Sequence, residues 1–137
     1  MNQSSPQEDA APVALLLDDV EDIVAELLTM FTLRGIPCAG AHSLREALAT
    51  LRALPSISLV ISDIRLRDEA GEDMITLVKM DPDLRQRDFR FVFMTGDVMR
   101  FAGQDTIEDH PILLKPVHPQ RLLELVKGIL APGSDGQ

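Results

Sequence analysis

Tryptophan and tyrosine are absent from this chain of 137 residues, and phenylalanine occurs five times. Stacking platforms for bases and large aromatic interface anchors are therefore scarce. Cysteine occurs once, at position 38, which excludes an internal disulfide and any site built from several thiolates. A single cysteine suits a reducing compartment, and the cytoplasm is the expected location. No apolar run approaches the roughly 18 residues of a membrane span. The opening "MNQSSPQEDAAP" has no apolar segment of the kind a secretion signal needs. Cations are also few: 13 Lys and Arg stand against 22 Asp and Glu, a formal net charge of −9. A nucleic-acid backbone requires clustered positive charge, so neither nucleic acid nor membrane is an expected partner.

What is present suits one domain. The length is ordinary for a single core, and 45% of the residues are hydrophobic. Residues 1–12 and "APGSDGQ" at the other end are polar and rich in Pro, Gly and Ser, which predicts flexible tails at 1–12 and 132–137 around a domain at 13–131. Between them, short apolar runs alternate with helical patterns. Val13–Leu17, "IPCAGA", "ISLVIS", "FRFVFMT" and "PILL" read as strands, the first being continuous and apolar as in a strand covered on both faces. Val20, Ile23, Val24, Leu27, Leu28 and Phe31 recur at helical spacing, with Gly35 as the stop. "SLREALATLRAL" opens with Ser43 and Glu46 in a capping-box pattern. "DMITLVKM" and "HPQRLLELVKGIL" are further helices, and "DVMRFAGQDTIED" is the least patterned candidate for one. Strand and helix alternate five times, which predicts an α/β fold: a five-stranded parallel sheet, doubly wound, with helices on both faces.

Such sheets bind ligands beyond the carboxyl ends of their strands. Asp18 and Asp19 stand at the end of the first strand, and Ser62 and Asp63 at the end of the third. Thr95 and Gly96 end the fourth, and Lys115 and Pro116 the fifth. One rim thus gathers three carboxylates, a hydroxyl and an ammonium group. Carboxylates that close together raise one another's pKa unless something neutralises them. A divalent cation does so, and hard oxygen ligands select Mg2+, with Mn2+ as a substitute. One carboxylate is then free to attack a phosphoryl group, while Lys115 and the hydroxyl of Thr95 offset charge on the phosphoryl oxygens. A bland reading also exists, in which Asp18 and Asp19 merely cap the first helix. Glu21 and Asp22 read as first-turn helix acids, and His42, His110 and His118 as structural or exposed.

The segments "LLLDDVE", "LVISDIRL", "FVFMTGD" and "ILLKPV", in this order, resemble the receiver domains of bacterial two-component response regulators, whose fold is flavodoxin-like. The likeness runs from about Val13 to Leu130, and Gly71 matches a family glycine in the loop after the phosphorylated strand. It implies that Asp63 is the phosphoacceptor, Thr95 the switch hydroxyl and Lys115 the phosphate-pairing cation. It implies a metal site formed by Asp19, Asp63 and the backbone carbonyl of Arg65, with Asp18 acting mostly through a metal-bound water. It further implies a cis bond between Lys115 and Pro116. The donor would be a histidine kinase or a histidine phosphotransfer protein.

Two departures are visible. Arg67 replaces a common proline, so the loop "RLRDEAGED" is expected to be mobile. Ile112 replaces the aromatic residue that moves with the switch hydroxyl, so an unusual activated state and a flexible segment 97–110 are expected. Separately, the resemblance implies that Arg65 and Asp97 stand at positions flanking the path of the attacking water; being opposite in sign, they either pair across the site and hinder water or form an exposed pair worth little.

No output domain follows Leu130 in this sequence, so the expectation is a single-domain regulator, not an enzyme, that signals through protein contacts or serves as a relay or phosphate sink. Two alternatives stand beside it. One is a magnesium-dependent phosphohydrolase working through an aspartyl-phosphate, although Val20 and Arg65 stand where such enzymes carry a second Asp. The other is a receiver-like module that binds partners without phosphorylation.

Overall fold

The fold follows from a computed structural model that describes residues 10–131. Apart from 10–12, the two expected tails lie outside the described residues. The elements, in chain order, are β1 (Ala14–Leu17), α1 (Glu21–Leu33), β2 (Cys38–Ala41), α2 (Leu44–Ala53), β3 (Leu59–Asp63) and α3 (Asp73–Met80). They continue with β4 (Arg90–Thr95), β5 (Thr106–Ile107), β6 (His110–Leu114) and α4 (Pro119–Leu130). The sheet order is β2-β1-β3-β4-β6-β5. The chain moves to one side of β1 for β2 and to the other for β3, which opens a crevice above the ends of β1 and β3.

Period-two alternation gives the sheet two cores. Leu15, Leu17, Val60, Phe91 and Phe93 pack with Leu51 of α2 and Met74 of α3. Leu16, Ile61, Val92 and Met94 pack on the other face with Phe31 of α1 and Val126 of α4. Burying each such side chain contributes about 1.5–3 kcal/mol, so both faces of the five parallel strands are firmly covered.

The local signals act as their chemistry requires. Ser43 accepts from the amide of Glu46 at 3.1 Å, and Glu46 accepts from the amide of His42 at 2.7 Å. The reciprocal bond of this cap thus falls one residue before Ser43. Gly35 takes a φ of +79°, and the amide of Ile36 returns to the carbonyl of Phe31 at 2.9 Å, ending α1. Val20 differs from its expected place on the buried stripe: it is the extended residue before α1 and is 46% exposed. Burial pushes the Cys38 thiol up to about 12, so it stays protonated and unreactive.

The helix expected over 97–109 is a correction. Residues 98–103 form turns, and Thr106–Ile107 pair antiparallel with His110–Pro111. The sheet therefore has six strands, and β5 is a short antiparallel edge. Gly103 takes a φ of +74°, which stops any helix there, and Glu108 and Asp109 take +49° and +73° to make the hairpin turn.

His110 fastens this hairpin. Its Nδ1 accepts from the amide of Phe91 at 3.3 Å, which requires a ring unprotonated at that nitrogen. The ring meets Phe91 edge-on with centroids 5.0 Å apart. Burial first, then the Arg90 charge and that of Lys79, hold its pKa below the ordinary 6.5, against the opposing pull of Glu108 and Asp109. The folded state therefore resists the proton that the unfolded state accepts. The contribution of this contact is complete above pH 6.5 and fades as pH falls below that value towards the depressed folded one. Urea unfolding across that range should show the parent losing more stability on acidification than His110→Gln. Parallel curves for the two proteins would remove the assignment.

Candidate functional site

Strand register brings the site together. Leu17 pairs with Ser62, Asp63 with Met94, and Thr95 with Leu114. The residues immediately beyond these pairs therefore meet at one rim. Asp18 is 2% exposed, Asp63 7% and Thr95 2%, whereas Asp19 is half-buried.

Asp18, Asp19 and Asp63 each bring one carboxylate oxygen to within 4.8 Å of the others. Lys115 donates to Asp63 Oδ2 at 2.9 Å. Asp18 Oδ1 accepts from the amide of Val20 at 3.0 Å, but its Oδ2 is buried with no partner. Burial raises the Asp18 carboxyl above the usual range, and the charges of Asp63 and Asp19 add to this, against the Val20 amide and Lys115. An unpaired buried carboxylate oxygen is costly, and one lysine cannot neutralise three acids. The trio therefore fits a divalent cation with oxygen ligands. Arg65 bridges to Ala70 through the Leu66 amide to Glu69 at 3.0 Å and the Gly71 amide to Ile64 at 2.7 Å. This pattern leaves the Arg65 carbonyl without a backbone partner among the described residues.

The loop after β3 has little slack. Besides that bridge, Glu69 Oε1 accepts from the amide of Leu44 at 3.0 Å, and Leu66 is buried. These contacts tie the loop to β3 and to the start of α2. Gly71 has a steric reason: a Cβ there would collide with the carbonyl oxygen of Asp63 and with Ser62 Oγ. Ser62 Oγ donates to that same carbonyl at 2.8 Å, so the backbone behind Asp63 is fixed from two sides.

Thr95 Oγ1 accepts from the amide of Asp97 at 3.0 Å, which leaves its proton to donate elsewhere. The Lys115–Pro116 bond is cis. Asp63, Thr95 and Lys115 line one cleft of about 900 Å³, together with Arg65, Asp97 and Arg100. The expected Arg65–Asp97 pair does not form among the described residues. Asp97 Oδ1 instead accepts from the amide of Arg100 at 3.0 Å, a local turn bond that costs little chain entropy. His42 is structural, as read from sequence: its Nδ1 lies 3.1 Å from the Asp18 carbonyl oxygen and fixes the β1–α1 turn beside the site. Only its partner was not foreseeable from the local pattern, because it lies 24 positions away.

No family model matches the chain. The two-component response regulator PprB of Pseudomonas aeruginosa is 29% identical over 117 residues, which cover 80% of this chain and 40% of that protein. The chain thus spans well under half the length of this curated relative. A response regulator receiver protein from Pseudomonas putida is 29% identical and superposes with a TM-score of 0.72, over 86% of this chain and 97% of that one. A CheY-like receiver domain from Methylobacillus flagellatus, 19% identical, shares the fold with a TM-score of 0.71 over 88% and 99% of the two chains. The sheet order, the acid-lined rim and these likenesses define a doubly wound α/β domain of the flavodoxin-like kind. The chain is similar to receiver domains of response regulators in sequence and in fold.

Proposed function

We propose that Asp63 accepts a phosphoryl group in a magnesium-dependent reaction, and that this chain acts as a phosphorylated switch, relay or sink and not as an enzyme with its own substrate. One observation carries the reading. A carboxylate held by Lys115 at 2.9 Å stands beside two further carboxylates, one with a buried oxygen left without a partner.

Asp18, Asp19, Asp63 and the Arg65 carbonyl would hold the cation, which when bound supplies charge neutralisation and Lewis acidity toward phosphoryl oxygens. The chain's own groups do the rest. Asp63 attacks phosphorus with the oxygen not tied to Lys115. An O–P bond forms as the N–P bond of a donor phosphohistidine breaks, and the imidazole leaves with the electron pair and takes up a proton. Lys115 then pairs with a phosphoryl oxygen, and Thr95 donates its free proton to another. Receiver domains interact with histidine kinases or phosphotransfer proteins, and one of these is the proposed donor. Among the described residues no helix is long and apolar enough to cross a membrane, and the proposed setting is the cytoplasm. Output would pass to a partner protein through surface contacts.

Incubation with a small acyl phosphate tests this. With Mg2+ the intact mass should rise by one phosphoryl group, released by hydroxylamine. Chelation of the metal should prevent the gain. A gain that survives chelation, or none with magnesium at millimolar levels, ends the proposal.

A further inference from the structure

The groups that would hold a cation lie on two separate loops. Asp18 and Asp19 belong to the turn between β1 and α1, whereas Arg65 and Glu69 belong to the loop between Asp63 and α3. Among the described residues no hydrogen bond joins residues 18–20 to residues 64–71. An open cleft of about 440 Å³ lies between them, lined in part by Asp19, His42, Ser43, Leu66 and Glu69. Both loops are tied instead to one stretch, residues 41–44, where β2 passes into α2. On one side, the Asp18 amide donates to the Ala41 carbonyl at 3.1 Å. The Asp18 carbonyl in turn lies 3.1 Å from His42 Nδ1, and since a carbonyl only accepts, that nitrogen carries the proton. On the other side, the Leu44 amide donates to Glu69 Oε1 at 3.0 Å, and the Glu69 carbonyl accepts from the Leu66 amide at 3.0 Å. The helix supplies the reason for this second tie. Leu44 is the first residue of α2, so its amide has no partner within the helix. Ser43 takes the amide of Glu46, and the Glu46 carboxylate takes that of His42. The amide left over goes to a loop 25 residues away.

We propose that residues 41–44 form a brace that fixes the spacing of the cation's ligands, with Glu69 and His42 as positioning residues. The brace rests on the reading of Asp18, Asp19, Asp63 and the Arg65 carbonyl as the ligand set, and neither positioning residue is itself a ligand. His42 fixes the main chain at Asp18, and hence where both acids of that turn stand. Glu69 holds the loop that carries Arg65 by its side chain and its main chain together. Arg67 stands there in place of a common proline and lends that loop no ring to stiffen it. Mg2+ tolerates little departure from octahedral geometry. Ligands brought from two loops therefore suit it only while the loops keep their separation. Without the brace, binding would have to order both loops, and that cost lowers affinity. Glu69 also carries charge, but it is exposed, and solvent screens it. Its acceptor oxygen is what the brace uses.

Titration of the full chain with Mn2+, the free ion being read by electron paramagnetic resonance, tests the brace. Glu69→Ala and His42→Ala should each weaken binding by about three- to tenfold. Glu69→Gln keeps an acceptor oxygen without the charge, and His42→Asn keeps a donor near the place of Nδ1. Both should recover most of the loss. In the two alanine variants, uptake from an acyl phosphate should need correspondingly more Mg2+ for half its maximum, yet reach the parent level at saturation. Combining Glu69→Ala with His42→Ala should weaken binding by less than the product of the single effects, because either break alone frees the two loops. Alanine variants that bind Mn2+ like the parent overturn the brace, whatever their stability. Glu69→Gln binding as weakly as Glu69→Ala overturns it too, since charge alone would then be the cause. A parent chain that binds no Mn2+ at millimolar levels overturns the metal site itself, and the brace with it.

Discussion

Asp63→Asn should take up no phosphoryl group from an acyl phosphate at any magnesium concentration, while the protein remains folded. The loss is expected to be complete because no neighbouring carboxylate can substitute. Asp18 is 2% exposed, with one oxygen on the Val20 amide and the other buried. Asp19 is not in contact with Lys115, whose ion pair is with Asp63. The fold should survive, because the change removes one of three crowded acids and relieves their mutual repulsion. Lys115 loses its partner, but its side chain is 33% exposed and returns readily to water. A midpoint of urea unfolding at or above that of the parent is therefore expected alongside zero uptake. Phosphoryl uptake on Asp63→Asn, located by mass to another carboxylate, would mean that the geometry has been assigned to the wrong acid. A large loss of stability would mean that the Asp63–Lys115 pair is structural.

Much of this site was legible because it sits where two simple rules intersect. An apolar run that stops at a charged residue marks both a strand and its end, and in a parallel sheet all such ends face one way. Asp18, Asp63, Thr95 and Lys115 needed no side-chain detail to be brought together, and the two-faced core followed from the same runs. What failed to be legible depends on distant partners or on unfavourable backbone. The hairpin turn at Glu108 and Asp109 puts two non-glycine residues at positive φ, where local preference argues against a turn of that kind. It is held by tertiary contacts, among them the His110 bond to Phe91 and the Lys79 ion pair with Glu108 at 3.2 Å. Gly103 lies inside the least patterned helix candidate, yet nothing local showed that Thr106 and Ile107 would add an edge strand. The Arg65–Asp97 pairing was inferred from charge and position alone. A nearer backbone donor, the Arg100 amide, took the carboxylate instead.

Arg87 is the clearest case of a residue whose role was invisible in sequence, and its removal should give the largest loss of stability of any single surface-accessible change. It lies between α3 and β4, in a polar stretch that reads as a plain connection. Its guanidinium donates to the carbonyls of Leu51 at 2.6 Å, Leu54 at 3.2 Å and Ile57 at 2.7 Å. The plane lies over the Phe89 ring, 4.6 Å from its centroid. Two of those carbonyls belong to the end of α2, where the last groups of a helix have no internal partner and where positive charge is favoured. The third precedes β3, the strand that carries Asp63. One planar cation thus joins a helix end, a loop and a strand entry, with donors spread as only a guanidinium spreads them. Hydrogen bonds from a charged group contribute about 1.5–3 kcal/mol each when well shielded. Water can replace part of that here, so Arg87→Ala should cost about 2–4 kcal/mol in all. For a domain of this size that corresponds to a midpoint lower by roughly 6–12 °C. Arg87→Lys, with a single ammonium for three acceptors, should recover less than about half. Phosphoryl uptake by the folded fraction should stay at the parent level, since the lost bonds lie at the opposite end of β3 from Asp63. A loss under about 0.5 kcal/mol, the scale of an ordinary surface substitution, would show that solvent already satisfies those carbonyls.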